Sequence, residues 1–193
     1  FTHDGGETSK WRWKGHAESE FWKWLASWAV YIRKPSDLGY ADDEFIPPEK
    51  IETINQIEGF TPDGYLFPVP ASTLEEQRKV KRNSIPARVQ ACADLVNART
   101  SGHWIVWAEL NDEADALEKA IQGAVQIAGS DKPDEKERRL IEFSQGKIRV
   151  LVTKASIAGF GMNWQHCNQM AFVGLSHSYE DLYQAIRRCW RSR

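Results

Sequence analysis

The second half of the chain alternates short apolar runs with longer amphipathic segments. The apolar runs have the length and flanking residues of buried strands, and the segments between them carry apolar residues at helical spacing. The predicted strands are 103–108, 124–129, 147–154 and 169–174. The predicted helices are 111–122, 133–146 and 179–191. Because such alternation builds a parallel sheet covered by helices, the pattern predicts an α/β fold.

Residues 17–34 have a different pattern, with apolar positions at helical spacing before Pro35. The apolar positions are Phe21, Leu25, Trp28 and Ile32, widened by Trp24 and Ala29. They predict an amphipathic helix that ends at the proline. Aromatic residues on a helical stripe pack in a core more often than they stack on bases, so we predict a core role for these Trp residues.

The remainder of the first half reads as a connector followed by helix. Residues 35–70 are rich in Pro, Gly and Asp, with a short alternating run at 51–59 that is consistent with a strand. Ser72 followed by Glu75 has the spacing of a capping box. The helical pattern that begins there continues, with a break at its single proline, to about Arg99.

Composition adds limits to this picture. The chain has 193 residues, of which 41% are hydrophobic and 27% charged, as in ordinary soluble domains. Its net charge of −2 excludes a general affinity for nucleic acid, so any such surface must be local. No apolar stretch reaches the roughly 18 residues of a membrane helix. The chain begins without Met, and we expect it to be a fragment of a longer protein.

Cysteine usage indicates a reducing compartment. Cys92, Cys167 and Cys189 are too few and too widely spaced for a disulfide framework, so we expect reduced thiols and a cytoplasmic location. His166 beside Cys167 does not make a metal site, because zinc takes about four ligands at recognisable spacing and no second pair is present.

A basic cluster lies within the predicted helical segment after residue 72. Its members are Arg78, Lys79, Lys81, Arg82 and Arg88. Such a cluster is able to bind phosphates, but a charge run on a helix is usually only a solvated face, and we favour that interpretation.

A denser group of arginines stands near the C-terminus, in the segment QAIRRCWR at 184–191. Arg188 and Arg191 are three residues apart, so on a helix they share a face and can direct two guanidinium groups at one polyphosphate. An arginine supplied in this way stabilises the charge that develops on a γ-phosphoryl group. The alternative is a solvated basic helix end, and this segment alone does not decide between the two.

The glycines of the segment VLVTKASIAGFGMNW at 150–164 follow a predicted strand. Glycine after a strand lets backbone N–H groups approach a phosphate, although a structural turn opening a helix has the same composition. A dinucleotide-binding loop fits poorly, because Trp164 stands where Gly or Ala is required.

Together these segments resemble superfamily 2 helicases. QAIRRCWR resembles motif VI, most closely its Swi/Snf-type form, with Gln184, Arg188 and Arg191 at matching positions and Arg187 where the motif has Gly. The resemblance implies that Arg188 and Arg191 are arginine fingers for ATP held by another lobe, oriented by Gln184.

The segment 150–164 resembles motif V of the same superfamily. The matching positions are Thr153, Lys154, Gly159, Gly161 and Asn163. The resemblance implies that the two glycines and the asparagine contact nucleotide, and that the threonine and lysine contact nucleic acid.

Two further segments resemble helicase sequences in the correct order, WIVWAELNDEADAL at 104–117 with motif IV and GSDKPDEKERRLIEF at 129–143 with the helix after it. Residues 103–193 therefore resemble a RecA-like C-terminal lobe of the P-loop NTPase type. Residues 1–102, a helical and irregular extension, resemble the region between the lobes of phage-type DEAD/DEAH-box helicases.

The resemblance implies an ATP-dependent DNA helicase or translocase, with RNA a less favoured substrate. Neither GxxxxGK[ST] nor a DEAH-type box occurs in the 193 residues. We therefore expect an N-terminal helicase lobe of the same parent chain to hold ATP and Mg²⁺, with no cofactor on this chain alone.

Two alternatives remain open. The first is a nucleic-acid-binding module without ATP coupling, which uses the basic segment and the Trp-rich helix. The second is a Rossmann-type cofactor enzyme, against which the absence of an evident acid–base pair also counts.

Overall fold

The structure is a computed structural model that describes most of the chain. The described residues are 2–4, 7–12, 17–30, 32, 34–42, 48–57, 61, 70–159 and 161–191. They form two compact units, Phe1–Ile46 and Pro47–Arg193. This division falls earlier in the chain than the predicted boundary at residue 102. Among the described helices, none combines the length and the apolar character that a membrane span requires.

The first unit contains a hairpin and a short helix. Strands β1 (Thr2–Asp4) and β2 (Glu7–Arg12) pair antiparallel, and helix α1 spans Glu18–Ala26. The sequence did not predict the hairpin, and α1 ends at Ala26, well before Pro35, with Ser27 and Trp28 in a turn.

The predicted core role of the Trp residues in α1 is wrong for this structure. No residue of the helix is buried, and Trp22, Trp24 and Trp28 are 52%, 57% and 63% exposed. These rings pack on neighbouring rings of the same segment instead, with the centroids of Trp24 and Trp28 5.2 Å apart. An amphipathic stripe predicts that a face is apolar, but it does not say what covers that face.

The second unit begins without the strand that was predicted at 51–59. Residues 51–57 form neither helix nor strand, and residues 58 and 59 lie outside the described residues. An alternating pattern produces a strand only where another strand is available to pair with it, and no described strand pairs with this segment.

Two helices follow, α2 (Leu74–Asn83) and α3 (Ile85–Ala98). The predicted capping box is displaced by one residue, since α2 is capped by Thr73 and Glu76, not by Ser72 and Glu75. The Thr73 hydroxyl accepts a hydrogen bond from the Glu76 amide at 3.2 Å, and the Glu76 carboxylate accepts one from the Thr73 amide at 3.1 Å. The same carboxylate also accepts from the Ser72 amide at 2.8 Å.

A four-stranded sheet and its crossover helices make up the rest of the unit. The strands are β3 (Trp104–Ala108), β4 (Ala124–Gln126), β5 (Val150–Lys154) and β6 (Gln169–Phe172). The helices are α4 (Asn111–Ala120), α5 (Pro133–Ser144), α6 (Ala155–Ala158) and α7 (Tyr179–Ile186). The strand order is β4-β5-β3-β6, and all the pairings are parallel. The predicted α/β fold is confirmed.

Helices cover both faces of the sheet, because side chains alternate between the two faces of each strand. On one face, residues of α3 and α4 pack against Val106 and Val152. On the other face, Phe143 of α5 and Ala185 of α7 pack around Ile105 and Leu151. The central strand β3 is wholly buried, so the ends of the strands supply the accessible sites.

The basic cluster after residue 72 is not simply a solvated face, and for two of its members that prediction is wrong. Lys81 forms an ion pair with Glu109 and donates to the carbonyl oxygen of Leu175 at 2.7 Å. Arg88 forms an ion pair with Glu113, whose side chain is completely buried. These pairs attach α2 to the residue after β3 and α3 to α4.

Candidate functional site

A small cleft of about 140 Å³ lies at the carboxyl ends of β3, β5 and β6. Its lining includes Trp107, Glu109, Lys154, Ser156, Leu175 and Ser178. Open α/β sheets bind their ligands at this edge, because the loops after the strands converge there. The cleft therefore occupies the position in which the sequence places functional residues.

Lys154 and Thr153, the predicted nucleic-acid contacts, have different environments although they are neighbours. The Lys154 ammonium reaches the cleft and donates to the Asn111 side-chain oxygen at 2.6 Å. The Thr153 side chain is buried, and its hydroxyl donates to the carbonyl oxygen of Ile127 at 3.1 Å. Thr153 thus links β5 to the residue after β4, and its contact with nucleic acid stays a prediction.

Replacement of Thr153 by valine separates these two roles. Valine keeps the shape but loses the donor, so we expect the free energy of unfolding to fall by about 1–3 kcal/mol, measured by urea denaturation. Nucleic-acid affinity, measured by fluorescence anisotropy, should fall if Thr153 makes the predicted contact with nucleic acid, and should remain unchanged if Thr153 acts only through its bond to Ile127. The matched variant Lys154→Gln should weaken nucleic-acid binding and leave the free energy of unfolding nearly unchanged, because Lys154 lines the cleft. Weaker binding by Thr153→Val at unchanged stability would instead support a direct contact.

The predicted nucleotide-binding residues lie in the turn after α6. Gly161 is exposed and has a φ of +80°, a conformation that glycine adopts without strain, and a Cβ there would meet no atom within 4 Å. At Gly159 a Cβ would collide with the backbone carbonyl oxygen of Ala155, so glycine fits the tight end of α6. Asn163 is exposed beside them.

Arg188 joins this turn to the end of α7. Only 6% of the residue is exposed, and each of its guanidinium nitrogens donates a hydrogen bond. Nε donates to the Gln184 carbonyl oxygen at 3.0 Å, Nη2 to the Gln184 side-chain oxygen at 2.8 Å, and Nη1 to the Met162 carbonyl oxygen at 2.9 Å. The backbone adds a bond from the Trp164 amide to the Arg188 carbonyl oxygen, also at 2.8 Å. The two segments that sequence analysis singled out are therefore in direct contact.

The charge at this position is held at a cost. Burial lowers the pKa of the Arg188 guanidinium, and the positive charge of Arg191 lowers it further. An anion placed beside both residues would relieve this repulsion. Two positive charges therefore lie close together after α7.

Arg191 and Arg187 are less constrained than Arg188. Arg191 donates from Nε to the Arg187 carbonyl oxygen at 2.8 Å, and its terminal nitrogens have no partner among the described residues. The Arg187 guanidinium lies over the Trp190 ring, 5.3 Å from its centroid. The Trp190 indole N–H in turn donates to the Pro48 carbonyl oxygen at 2.7 Å. Arg187, which stands where the motif has Gly, thus stacks on a ring that holds the segment at residue 48.

Arg188 and Arg191 do not lie on one face of an α-helix, as their spacing had predicted. The predicted helix 179–191 ends at Ile186, and hydrogen-bonded turns continue through Trp190. Arg188 and Arg191 are therefore near each other because of these turns, not because they share a face of an α-helix. Sequence analysis also missed the Met162 carbonyl oxygen and the buried carboxylate of Glu113. A backbone acceptor has no pattern in the sequence that identifies it. Glu113 lies in the predicted helix 111–122, where its spacing does not indicate burial.

Within the described ranges, no group of three or more His, Cys, Asp or Glu side chains is arranged to hold a metal ion. Cys92, Cys167 and Cys189 are all free and buried. Burial, with a smaller contribution from the negative charge of Glu113, raises the pKa of the Cys92 thiol to about 12, so that this thiol remains protonated.

Comparison with solved structures finds helicase and ATPase domains. The C-terminal part of the Fun30 ATPase domain is 18% identical, with 54% of this chain and 36% of that chain covered and a TM-score of 0.48. Dbp5 of S. cerevisiae, bound to RNA and ADP BeF3, is 16% identical, with 54% and 29% covered and a TM-score of 0.48. The RNA-helicase Prp28 from Chaetomium thermophilum, bound to ADP, is 17% identical, with 56% and 28% covered and a TM-score of 0.49.

This chain thus spans about a third of the length of these three proteins. No curated protein matches the chain. The family model described as the helicase conserved C-terminal domain matches residues 87–193, which include the cleft, the glycine turn and the arginines. Because this match covers more than half of the sequence, the chain belongs to the family of helicase conserved C-terminal domains.

Proposed function

We propose that the chain is the C-terminal lobe of an ATP-dependent DNA helicase or translocase. In this proposal it supplies arginine fingers and nucleic-acid contacts, while an N-terminal lobe of the same parent chain binds ATP and Mg²⁺. Hydrolysis between the lobes changes their separation and moves the protein along DNA.

The observation that carries the proposal is the position of Arg188. Its guanidinium donates to the Met162 carbonyl oxygen in the glycine turn and to the Gln184 side chain in α7. A ligand that displaces the turn must therefore also act on the end of the arginine segment. This contact holds together the glycine turn and the arginine segment, the two groups that the proposal assigns to the nucleotide.

Each residue has a distinct role in this proposal. Arg191, whose terminal nitrogens bond to no described residue, reaches the γ-phosphoryl group across the cleft between the lobes and stabilises the developing negative charge. Arg188 adds a second positive charge and is held in place by Gln184. The Mg²⁺ that accompanies ATP neutralises part of the phosphate charge, and this chain contributes donors only.

The glycine turn and Lys154 are the groups we assign to the remaining contacts. Gly159 and Gly161 keep the turn free of side chains, so that backbone N–H groups and the exposed Asn163 can approach nucleotide phosphate. Lys154 at the edge of the cleft is suited to a phosphodiester of the nucleic acid.

DNA, in preference to RNA, is the substrate we propose, together with a phage-related parent protein that acts in the cytoplasm of a bacterial or phage-infected host cell. The support is the resemblance of residues 1–102 to the region between the lobes of phage-type helicases. Anisotropy titrations with DNA and RNA of one sequence test the preference, and tighter binding of RNA would contradict it.

The alternative is a nucleic-acid-binding module without ATP coupling. The exposed Trp24 and Trp28 favour it, because exposed rings can stack on bases. Lys81 and Arg88 count against it, because both are already paired with carboxylates of the same chain. Salt-sensitive DNA affinity that is indifferent to nucleotide in the intact protein would favour this alternative.

The proposal predicts that the 193-residue chain hydrolyses no ATP above background, with or without added DNA. The physical reason is that arginine fingers stabilise a phosphoryl group that another lobe must hold. Phosphate release by the purified chain is the measurement, and the same chain with Arg191→Ala shows whether any residual signal is a contaminant. Sustained turnover that disappears in this variant would refute the division of labour.

A further inference from the structure

Helix α2 is short and carries four cations and two carboxylates. One carboxylate, that of Glu76, is occupied by the cap at the start of the helix. One cation, Lys81, is occupied by Glu109 and the Leu175 carbonyl oxygen. The remaining cations, Arg78, Lys79 and Arg82, therefore outnumber the one remaining carboxylate, Glu75.

These three cations are exposed and unpaired. Arg78, Lys79 and Arg82 form no ion pair or hydrogen bond with the part of the chain that the structure describes. At about 100° per residue, the three positions fall within one arc of about 100° on the helix. Arg78 and Arg82 are four residues apart and are direct neighbours on that surface. Glu75 lies within the same arc, so this face of the helix carries three cations and one carboxylate and is positive overall.

The position of α2 is fixed beside the cleft. Both residues that hold Lys81, Glu109 and Leu175, also line the cleft at the carboxyl edge of the sheet. The next helix is anchored in the same region, because Arg88 donates to the Val173 carbonyl oxygen at 2.5 Å and to the Lys81 carbonyl oxygen at 2.7 Å. The anchoring is unusual because α2 has little apolar surface of its own to bury. Leu74 is 65% exposed.

We propose that the exposed face formed by Arg78, Lys79 and Arg82 binds the phosphate backbone of the nucleic acid and extends the track that begins at Lys154. Lys81 and Arg88 serve as anchors that hold this face at the edge of the cleft. Because the nucleic-acid backbone is a polyanion, it is the partner whose charge complements this positive surface. This inference rests on the proposed function, because it takes the cleft edge as the nucleic-acid side of the lobe.

The test compares two variants of equal charge. Arg78→Gln with Arg82→Gln removes two cations from α2. The control, Lys119→Gln with Lys147→Gln, removes two exposed cations that precede β4 and β5, at the opposite edge of the sheet. Glutamine preserves helix propensity, and unchanged thermal unfolding of both proteins shows that they fold.

Binding of the full chain to fluorescein-labelled single-stranded DNA, single-stranded RNA and duplex DNA is measured by anisotropy over a series of salt concentrations. We expect the α2 variant to bind roughly tenfold more weakly at low salt, and its log–log salt dependence to be shallower by about 0.7 to 0.9 per lost contact. The control should match the wild type. The probe that is most affected identifies the form of nucleic acid that follows this track.

The outcomes separate the two proposals. If the α2 variant binds like its control while Lys154→Gln weakens binding, the α2 inference is overturned and the proposed function stands. If the unmodified chain binds none of the probes at low salt, the nucleic-acid contacts of the proposed function are overturned together with the inference.

Discussion

Replacing Arg191 by alanine in a protein that carries both this lobe and an ATP-binding lobe is expected to slow ATP hydrolysis by about 10³ to 10⁵-fold. The reason is that its terminal nitrogens, which lack partners among the described residues, are the ones available to the γ-phosphoryl group. ATP affinity should change little, because the finger acts on charge that develops in the transition state. Single-turnover hydrolysis measures the first quantity, and titration with a fluorescent ATP analogue measures the second.

Two further variants make this experiment specific. Arg188→Ala is also expected to abolish hydrolysis, but with a lower unfolding temperature, because Met162 and Gln184 lose their buried donor. Arg187→Ala is the matched control, since this guanidinium stacks on Trp190 and turnover should stay close to that of the wild type. Undiminished turnover without Arg191, or an equal loss without Arg187, would contradict the assignment.

The Arg88→Met variant should lose about 3–5 kcal/mol of unfolding free energy, a large part of the stability of a domain of this size. Its partner Glu113 is completely buried and would keep a carboxylate without a counter-charge. The amide of Glu109 donates to that carboxylate at 2.7 Å, which offsets only part of the loss. Urea denaturation monitored by circular dichroism measures the change.

Pairing the variants isolates the cause. In the double variant Arg88→Met with Glu113→Gln no charge is buried at the position of this pair, and most of the lost free energy of unfolding should return. Arg138→Met serves as the control, because Arg138 pairs with Glu135 and Glu142 on the surface of α5, where solvent screens the charges. A loss for Arg138→Met as large as for Arg88→Met would show that burial of Glu113 is not the cause.

Much of the lobe could be predicted from its sequence because local patterns and long-range packing agree there. The strand at Trp104–Ala108 and the helices at 111 and 133 begin close to their predicted positions, since buried strands and amphipathic helices have distinct periodicities. Agreement is poorer where a pattern depends on a partner. The alternating run at 51–57 pairs with no described strand, and Trp24 and Trp28 of the apolar stripe remain more than half exposed.

The candidate site could be predicted by residue type but not by geometry. The spacing of Arg188 and Arg191 predicts two arginines on one helix face, and the resemblance to motif VI implies the role of Gln184. The structure instead places Arg188 inside the lobe, bonded to the Met162 carbonyl oxygen. Burial of one guanidinium depends on where the chain returns after residue 161, and no local pattern contains that information.

The strand order β4-β5-β3-β6 affects how the chain folds during its synthesis on the ribosome. The central strand β3 is made before both of its neighbours, with Trp104 paired to Val150 on one side and to Gln169 on the other. Until Phe172 emerges, this apolar strand has at least one edge open to association with other chains. Synthesis of β6 therefore completes the sheet and covers the open edge of β3.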